Sequence, residues 1–522
     1  MRRLTIPGVN SNTPKLLLEE PPPAGGRLQR FAWCTHPSRG TIIGAWAVFL
    51  VVLISIRIYL LQTLPFYLWS KDAGSYADSA WQWFDTGVWE TDPRRGAVYS
   101  LLIAFCLNTW GTFWSLMLVQ HLIAALCIIA AVIVLWQLHG LRRWIPLTAC
   151  ALAYALYAGP IAAAHIVRNE SLIFLFATAT LIALFHAFRR DSLTALIVAG
   201  ISFGLLVLTK NVFAPLPLIV LLGLLRLHRH TRSRAIVTML LFIAGCAVPL
   251  LGDQLLRRMT VQKKPREPQA GLLLFARVAQ FTRLDAGIEP EIKALIRDDI
   301  VEYRQRSKLD NNIILNRTAV PRMRAHLLAR GRTPSDLNGI CRALAFEAIR
   351  CEPNAYARQV LGDLRKLHLS YGERLRRPDL GELEFTTKWL QGMEQPHATL
   401  KRTETLAMIA ERERPETLSF YQQIVQTAWL FNFSPVLLTS LLLPLITIAS
   451  HSALRWWWLT LCTVWYFNVI LLSTVGKPMD RYLIPVMPIM FWTLSTAVVA
   501  IWAALGAIVV RIFRPRTEAA VS

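Results

Sequence analysis

The chain is 522 residues long, 54% of them hydrophobic, and carries a formal net charge of +23. A mean hydropathy of +0.40 excludes an ordinary soluble protein and fits a chain that crosses a membrane many times. The charge does not imply nucleic acid. Its basic residues fall between apolar runs or in one long insert, where membrane orientation accounts for them.

Residues 1–40, with Pro21-Pro22-Pro23 and Gly25-Gly26, lack the apolar core of a signal peptide and read as a flexible cytoplasmic tail. Ten spans follow, at about 41–62, 113–137, 144–162, 169–188, 193–209, 212–226, 235–252, 425–449, 456–474 and 483–510. The predicted fold class is therefore an all-α membrane protein. Arg142-Arg143, Arg189-Arg190, the group Arg226, Arg229, Arg232 and Arg234, then Arg455, and finally Arg511, Arg514 and Arg516 all fall on one side of such a bundle. By the positive-inside rule that side is the cytoplasm, with both termini inside and the remaining loops outside.

The first outer loop, 63–112, is neither a span nor an ordinary polar loop. From Asp72 to Phe84 the residues Ala73, Tyr76, Ala77, Ala80, Trp81 and Phe84 recur at helical spacing, with Asp78, Gln82 and Asp85 opposite. That pattern predicts a helix lying in the membrane interface, a level that suits Trp81, Trp83 and Trp89. Residues 97–110 are apolar but too short to cross alone and predict a second interfacial helix. Residues 253–423 form a charged external insert, with helices predicted at 339–350 and 354–368. A last segment, 513–522, returns to the cytoplasm.

The insert holds Cys341 and Cys351, ten residues apart. On one unbroken helix they would be about 15 Å apart and unable to bond, so no disulfide is expected. Cys106, Cys127, Cys150, Cys246 and Cys462 lie in or beside apolar segments and read as packing residues. No Cys/His cluster suggests zinc, and no metal ligands are assigned.

With this topology, ionisable residues far apart in sequence gather at the outer face. They are Asp72, the string His165 to Glu170 with Arg168 inside it, Lys210, and Lys477 to Arg481. An Asp just before a helix is often only a cap, and a lone cation at a boundary is often only snorkelling. Several acids and cations at four boundaries raise the expectation of chemistry. One carboxylate base with several cations suits transfer from a phosphate-linked donor: the base takes a proton from an acceptor hydroxyl, and the cations stabilise the departing phosphate. No Walker loop or Rossmann fingerprint offers a soluble nucleotide donor.

The run Asp72-Ala73-Gly74-Ser75-Tyr76, then Gly87 and Pro93-Arg94-Arg95-Gly96-Ala97-Val98-Tyr99, resembles the first outer loop of the GT-C superfamily of membrane glycosyltransferases. That superfamily includes the protein O-mannosyltransferases and the lipid A aminoarabinose transferases. Arg168-Asn169-Glu170, Leu208-Thr209-Lys210 and Asp480-Arg481-Tyr482 at their span ends extend the resemblance, which leaves out 254–423.

The resemblance implies a GT-C-like module over 41–252, completed by 424–512, and an inverting transferase fed by a polyprenyl-phosphate sugar. Asp72 would be the base. Tyr76, Arg94, Arg95, His165, Arg168, Glu170, Lys210, Lys477 and Arg481 would bind the donor or position the acceptor, which is a glycolipid, a polysaccharide or a protein. Some members bind a divalent cation near the base, and this sequence leaves that open. Where many members carry a Pro-Pro or Tyr-Pro pair, this chain has Arg94-Arg95-Gly96 and Val98-Tyr99-Ser100. The preponderance of Arg over Lys leans towards a bacterial inner membrane. A transporter or lipid flippase, or a scaffold whose insert binds a partner, are the competing classes; a transporter is expected to bury charges near the midplane and to show repeated halves.

Overall fold

The computed structural model describes residues 37–513 apart from 71, 92–95, 228–230, 263–269, 286, 306–317, 370–377, 413–434, 451 and 476–479. Within them the chain is a multi-pass helical membrane protein. Helix α1 (Arg39–Thr63) leads to the two-residue strand β1 (Leu68–Trp69), α2 (Gly74–Thr86), β2 (Glu90–Thr91) and α3 (Ala97–Trp110). Then come α4 (Phe113–His139), α5 (Trp144–Ala155), α6 (Ala158–His165), β3 (Ile166–Val167), α7 (Glu170–Arg190), α8 (Leu193–Thr209), α9 (Leu216–Leu227) and α10 (Arg232–Met259). Helices α1, α4, α7, α10 and the last one are each long and apolar enough to cross a membrane.

Both helices expected within 63–112 form, with one shift. The first begins at Gly74 with Ala73 in the cap position, so Asp72 sits one residue before the cap, in a turn. Tyr76, Ala77 and Ala80 are buried and Asp78 and Asp85 exposed, as the period requires. Its partner α3 spans Ala97–Trp110, and the two pack together over Tyr76, Tyr99, Ile103 and Leu107.

The third expected span, 144–162, is not one helix. It breaks at Leu156–Tyr157 into α5 and α6, with Tyr157 extended. The cause is Pro160. Inside a continuous helix it would lack its hydrogen bond and press its ring against the carbonyl of Leu156, whereas near the start of a new helix it costs little.

After β4 (Val261–Gln262) the insert builds its own core. Helix α11 (Ala270–Val278) packs on α15 (Pro334–Cys351), with α12 (Pro290–Leu295), α13 (Arg297–Gln305) and α14 (Val320–Ala329) around it; Phe275, Ile296, Met323 and Leu344 are central. Lys293 is fully buried there and donates to Glu347 at 2.9 Å. Helix α16 (Pro353–Leu369) leaves that core for the spans, where His368 meets Ser440 at 3.0 Å. Arg277 bonds Asp363 at 2.5 Å and the Ser473 carbonyl at 2.6 Å, tying insert to bundle. Cys341 and Cys351 share α15 and are unpaired.

Helices α17 (Pro378–Gln391) and α18 (Arg402–Arg412) fold onto the segment between α1 and α4. Trp389 stacks on Trp69 at 4.2 Å, Trp81 lies over His397 at 5.1 Å, and Tyr67 donates to the Leu400 carbonyl at 2.6 Å. The chain closes with α19 (Pro435–Ala449), α20 (Ser452–Val475), a 3₁₀ turn (Asp480–Val486) and α21 (Met487–Phe513). The expected span 425–449 is described only from Pro435 on, and of the two tails residues 1–36 and 514–522 lie outside the described residues.

Contacts sort the loops into two ends. Arg189 donates to the Gln137 carbonyl at 3.0 Å and Arg234 pairs with Asp191, which collects the α4, α7 and α10 termini at one end. At the other, β1 pairs with β3, β2 pairs with β4, and the Ala97 amide faces Asp253 at 3.4 Å.

Candidate active site

The site is assembled by a parallel pair of very short strands. Leu68 pairs with Ile166 and Trp69 with Val167, and Ser70 Oγ donates to the Val167 carbonyl at 3.1 Å. Parallel strands leave a ladder in the same direction. Asp72, three residues beyond Trp69, and Arg168 and Glu170, one and three residues beyond Val167, therefore emerge at the same mouth.

Lys210 is brought in from α8. Asn169 Nδ2 donates to the Thr209 carbonyl at 2.8 Å, which fixes the end of α8 beside the start of α7. Gly96, at the cap of α3, presses on the same place: a Cβ there would lie 1.9 Å from the Leu208 carbonyl oxygen. The helix start touches the α8 backbone, and only glycine fits.

Glu170 is 3% exposed and opens α7, where the helix dipole favours an anion. Its Oε2 has no hydrogen-bond partner among the described residues. Beside it lie Tyr76 and Tyr99, ring centroids 5.0 Å apart and edge to face; the Tyr99 hydroxyl donates to Gln120 Oε1 at 2.9 Å. Burial pushes that hydroxyl well above its ordinary pKa, and the negative charge of Glu170 adds to the effect. Tyr99 therefore stays a donor at any physiological pH.

The predicted residues fall into four groups. Asp72, Tyr76, Arg168, Glu170 and Lys210 share the mouth of the strand pair. His165 faces the other way: it is buried, and its two ring nitrogens engage His121 at 2.9 Å and the Leu64 carbonyl at 2.8 Å. Arg481 lies in the 3₁₀ turn Asp480–Val486, which packs against α6 and α7. Arg94, Arg95 and Lys477 are outside the described residues. Sequence reasoning named Tyr99 only within the loop motif and passed over Gln120, His121 and Arg57 as site residues. A signal was present for the last three, because ionisable or amide side chains inside apolar runs are costly and seldom idle. Among the described residues no group of three or more His, Cys, Asp or Glu could hold a metal ion.

A half-buried carboxylate in a turn, at the same mouth of the strand pair as two cations and the buried Glu170, is a set of groups suited to proton abstraction beside a stabilised anion. The class defined this far is a helical multi-pass membrane protein with a polar cluster at one end of its bundle. No family model and no curated protein match the sequence. Among solved structures, the chain is similar to the crystal structure of ArnT from Cupriavidus metallidurans bound to undecaprenyl phosphate. That likeness has 15% identity and a TM-score of 0.34, over 92% of this chain and 82% of that one. The apo ArnT structure gives 14% identity and a TM-score of 0.31, over 90% and 79%.

Proposed function

We propose that the protein is an inverting glycosyltransferase that moves a sugar from a polyprenyl-phosphate carrier to an acceptor hydroxyl at the outer face of a bacterial inner membrane. The observation that carries this reading is the parallel β1–β3 pair, which sets the Asp72 turn beside Arg168 and Glu170. The resemblance of those same segments to the GT-C superfamily supports it.

In this mechanism the Asp72 carboxylate takes the acceptor proton as the hydroxyl oxygen attacks the anomeric carbon. The bond from that carbon to the phosphate oxygen breaks on the opposite face, and the electron pair leaves with polyprenyl phosphate. Arg168, Lys210 and Arg481 meet the developing phosphate charge, Arg as a fork and Lys as a point charge. Glu170, Tyr76 and Tyr99 position sugar and acceptor. The insert, through α17 and α18 on the outer loop, roofs the site and selects the acceptor among glycolipid, polysaccharide and protein.

The test is a membrane preparation given a panel of polyprenyl-phosphate sugars, with the acceptor fraction read by mass spectrometry. Release of polyprenyl phosphate together with a glycosylated product is expected. Movement of lipid or sugar across the membrane without cleavage would make the protein a transporter instead.

A further inference from the structure

Beneath the site, on the bundle side of the strand pair, runs a directed chain of buried hydrogen bonds. His165 Nε2 lies 2.8 Å from the Leu64 carbonyl, which can only accept, so Nε2 carries the proton. His165 Nδ1 must then accept from His121 Nε2 at 2.9 Å. His121 Nδ1 is left to accept from Arg57 Nη1 at 3.2 Å. Every tautomer follows from the backbone carbonyl at one end and the guanidinium at the other. Arg57 is 5% exposed inside α1, and its Nε and Nη2 have no hydrogen-bond partner among the described residues. A cation so placed is expensive, and its contact with His121 is what it visibly does.

The neighbouring residue extends the pattern. Gln120 donates to the carbonyls of Ala164 and Ile166 at 3.0 and 3.1 Å while its oxygen accepts from Tyr99. Side chains of α4 thus hold the backbone on both sides of His165, and His165 reaches across to the residue where α1 ends. Pro65 stops α1 there and turns the chain into β1. A ladder of two residues per strand is too short to fix its own register. A slip of one residue would carry Asp72 past Arg168 by a full strand step.

We propose that the chain Arg57–His121–His165 is a positioning device that locks β1 against β3, and so sets the spacing between Asp72 and the Arg168–Glu170 pair. None of the three touches substrate. The proposal rests on the transferase reading for its consequence in turnover, but not for its structural part.

The test uses the purified full-length chain in lipid nanodiscs. In His165→Leu, hydrogen exchange at 66–70 and 166–169 should quicken. In His165→Gln, whose amide can still donate to Leu64, it should stay near the wild type. Turnover of a polyprenyl-phosphate sugar should fall about 10²-fold in His165→Leu, the scale of an ångström-level misplacement. The donor KM should be unchanged, because binding groups are intact. His165→Gln should restore kcat. His121→Leu offers a second way into the same chain, and the His121→Leu/His165→Leu double variant should be no worse than His165→Leu alone. Unchanged exchange in His165→Leu, equal damage from Leu and Gln, or additive costs in the double variant would each overturn the proposal. So would quickened exchange with kcat intact in an active enzyme. Quickened exchange beside an inactive wild type would support the clamp while removing the transferase reading.

Discussion

The two ends of the bundle hold the same kinds of residue in opposite states. At the Arg-rich end, Arg234 and Asp191 pair with their side chains about half exposed, and Arg189 and Arg190 stand in the open. At the site end, Glu170, His165 and Arg57 are nearly all covered, and the loops are tied by strand pairs and side chain–backbone bonds between distant segments. Exposed charges trade water for one another at little gain. Buried ones cost several kcal/mol wherever they are left unengaged, as Glu170 Oε2 and Arg57 Nε and Nη2 are among the described residues. Orientation needs only the first arrangement, whereas chemistry at a fixed spacing needs the second. Substitutions at the site end should therefore disturb far more than equal substitutions at the other.

The comparison breaks most sharply at Asp72. Asp72 precedes the cap of α2, and Asn keeps its size and shape but takes no proton at neutral pH, so Asp72→Asn should insert normally and lose about 10²–10⁴-fold in transfer. Turnover normalised to protein in the membrane measures this, and near-normal turnover would leave the chain without a base. Gly96→Ala comes next. Its methyl would strike the Leu208 carbonyl, backbone that cannot step aside, and should cost about 2 kcal/mol with a matching fall in detergent melting temperature. An unmoved melting curve would show that α3 does not bear on α8. Below it lies Trp389→Ala, which removes the stack on Trp69 that holds the insert to the segment between α1 and α4. Loss of about 1 kcal/mol of stacking should make the α17–α18 segment easier to cleave by limited proteolysis, with the spans unaffected.

Much of this was legible in the sequence wherever a period was long enough to read. Residues 97–110 predict a helix and α3 spans Ala97–Trp110, while 339–350 and 354–368 lie within Pro334–Cys351 and Pro353–Leu369. The break in the third span had a visible cause in Pro160, hidden by the apolar run around it. The strand pair left no trace, because two residues have no period and the partners are almost a hundred positions apart. For that reason Asp72, Arg168 and Glu170 could be gathered to one face but not to one mouth. His165 sat in the same string as Arg168, and only the backbone shows that it turns inward while Arg168 stays at the mouth.

The smallest effect is expected at the far end, and it matters because a null there sharpens the contrast. Arg234→Ala breaks the pair with Asp191, yet both side chains already meet solvent, so stability should change by less than about 0.5 kcal/mol. What the residue contributes to orientation is shared with Arg226, Arg229 and Arg232, so a single loss should not invert the protein. Accessibility of a tag at residue 230 to an outside reagent reads this directly: protection is expected both in the wild type and in Arg234→Ala. Removing all four arginines should expose that tag in a fraction of molecules, since the charge bias for this loop would be gone. If the single change alone flipped the loop, Arg234 would be an orienting residue in its own right. If the tag were reachable in the wild type, the Arg-rich end would not be cytoplasmic, and the site would face the compartment where the arginines had been placed.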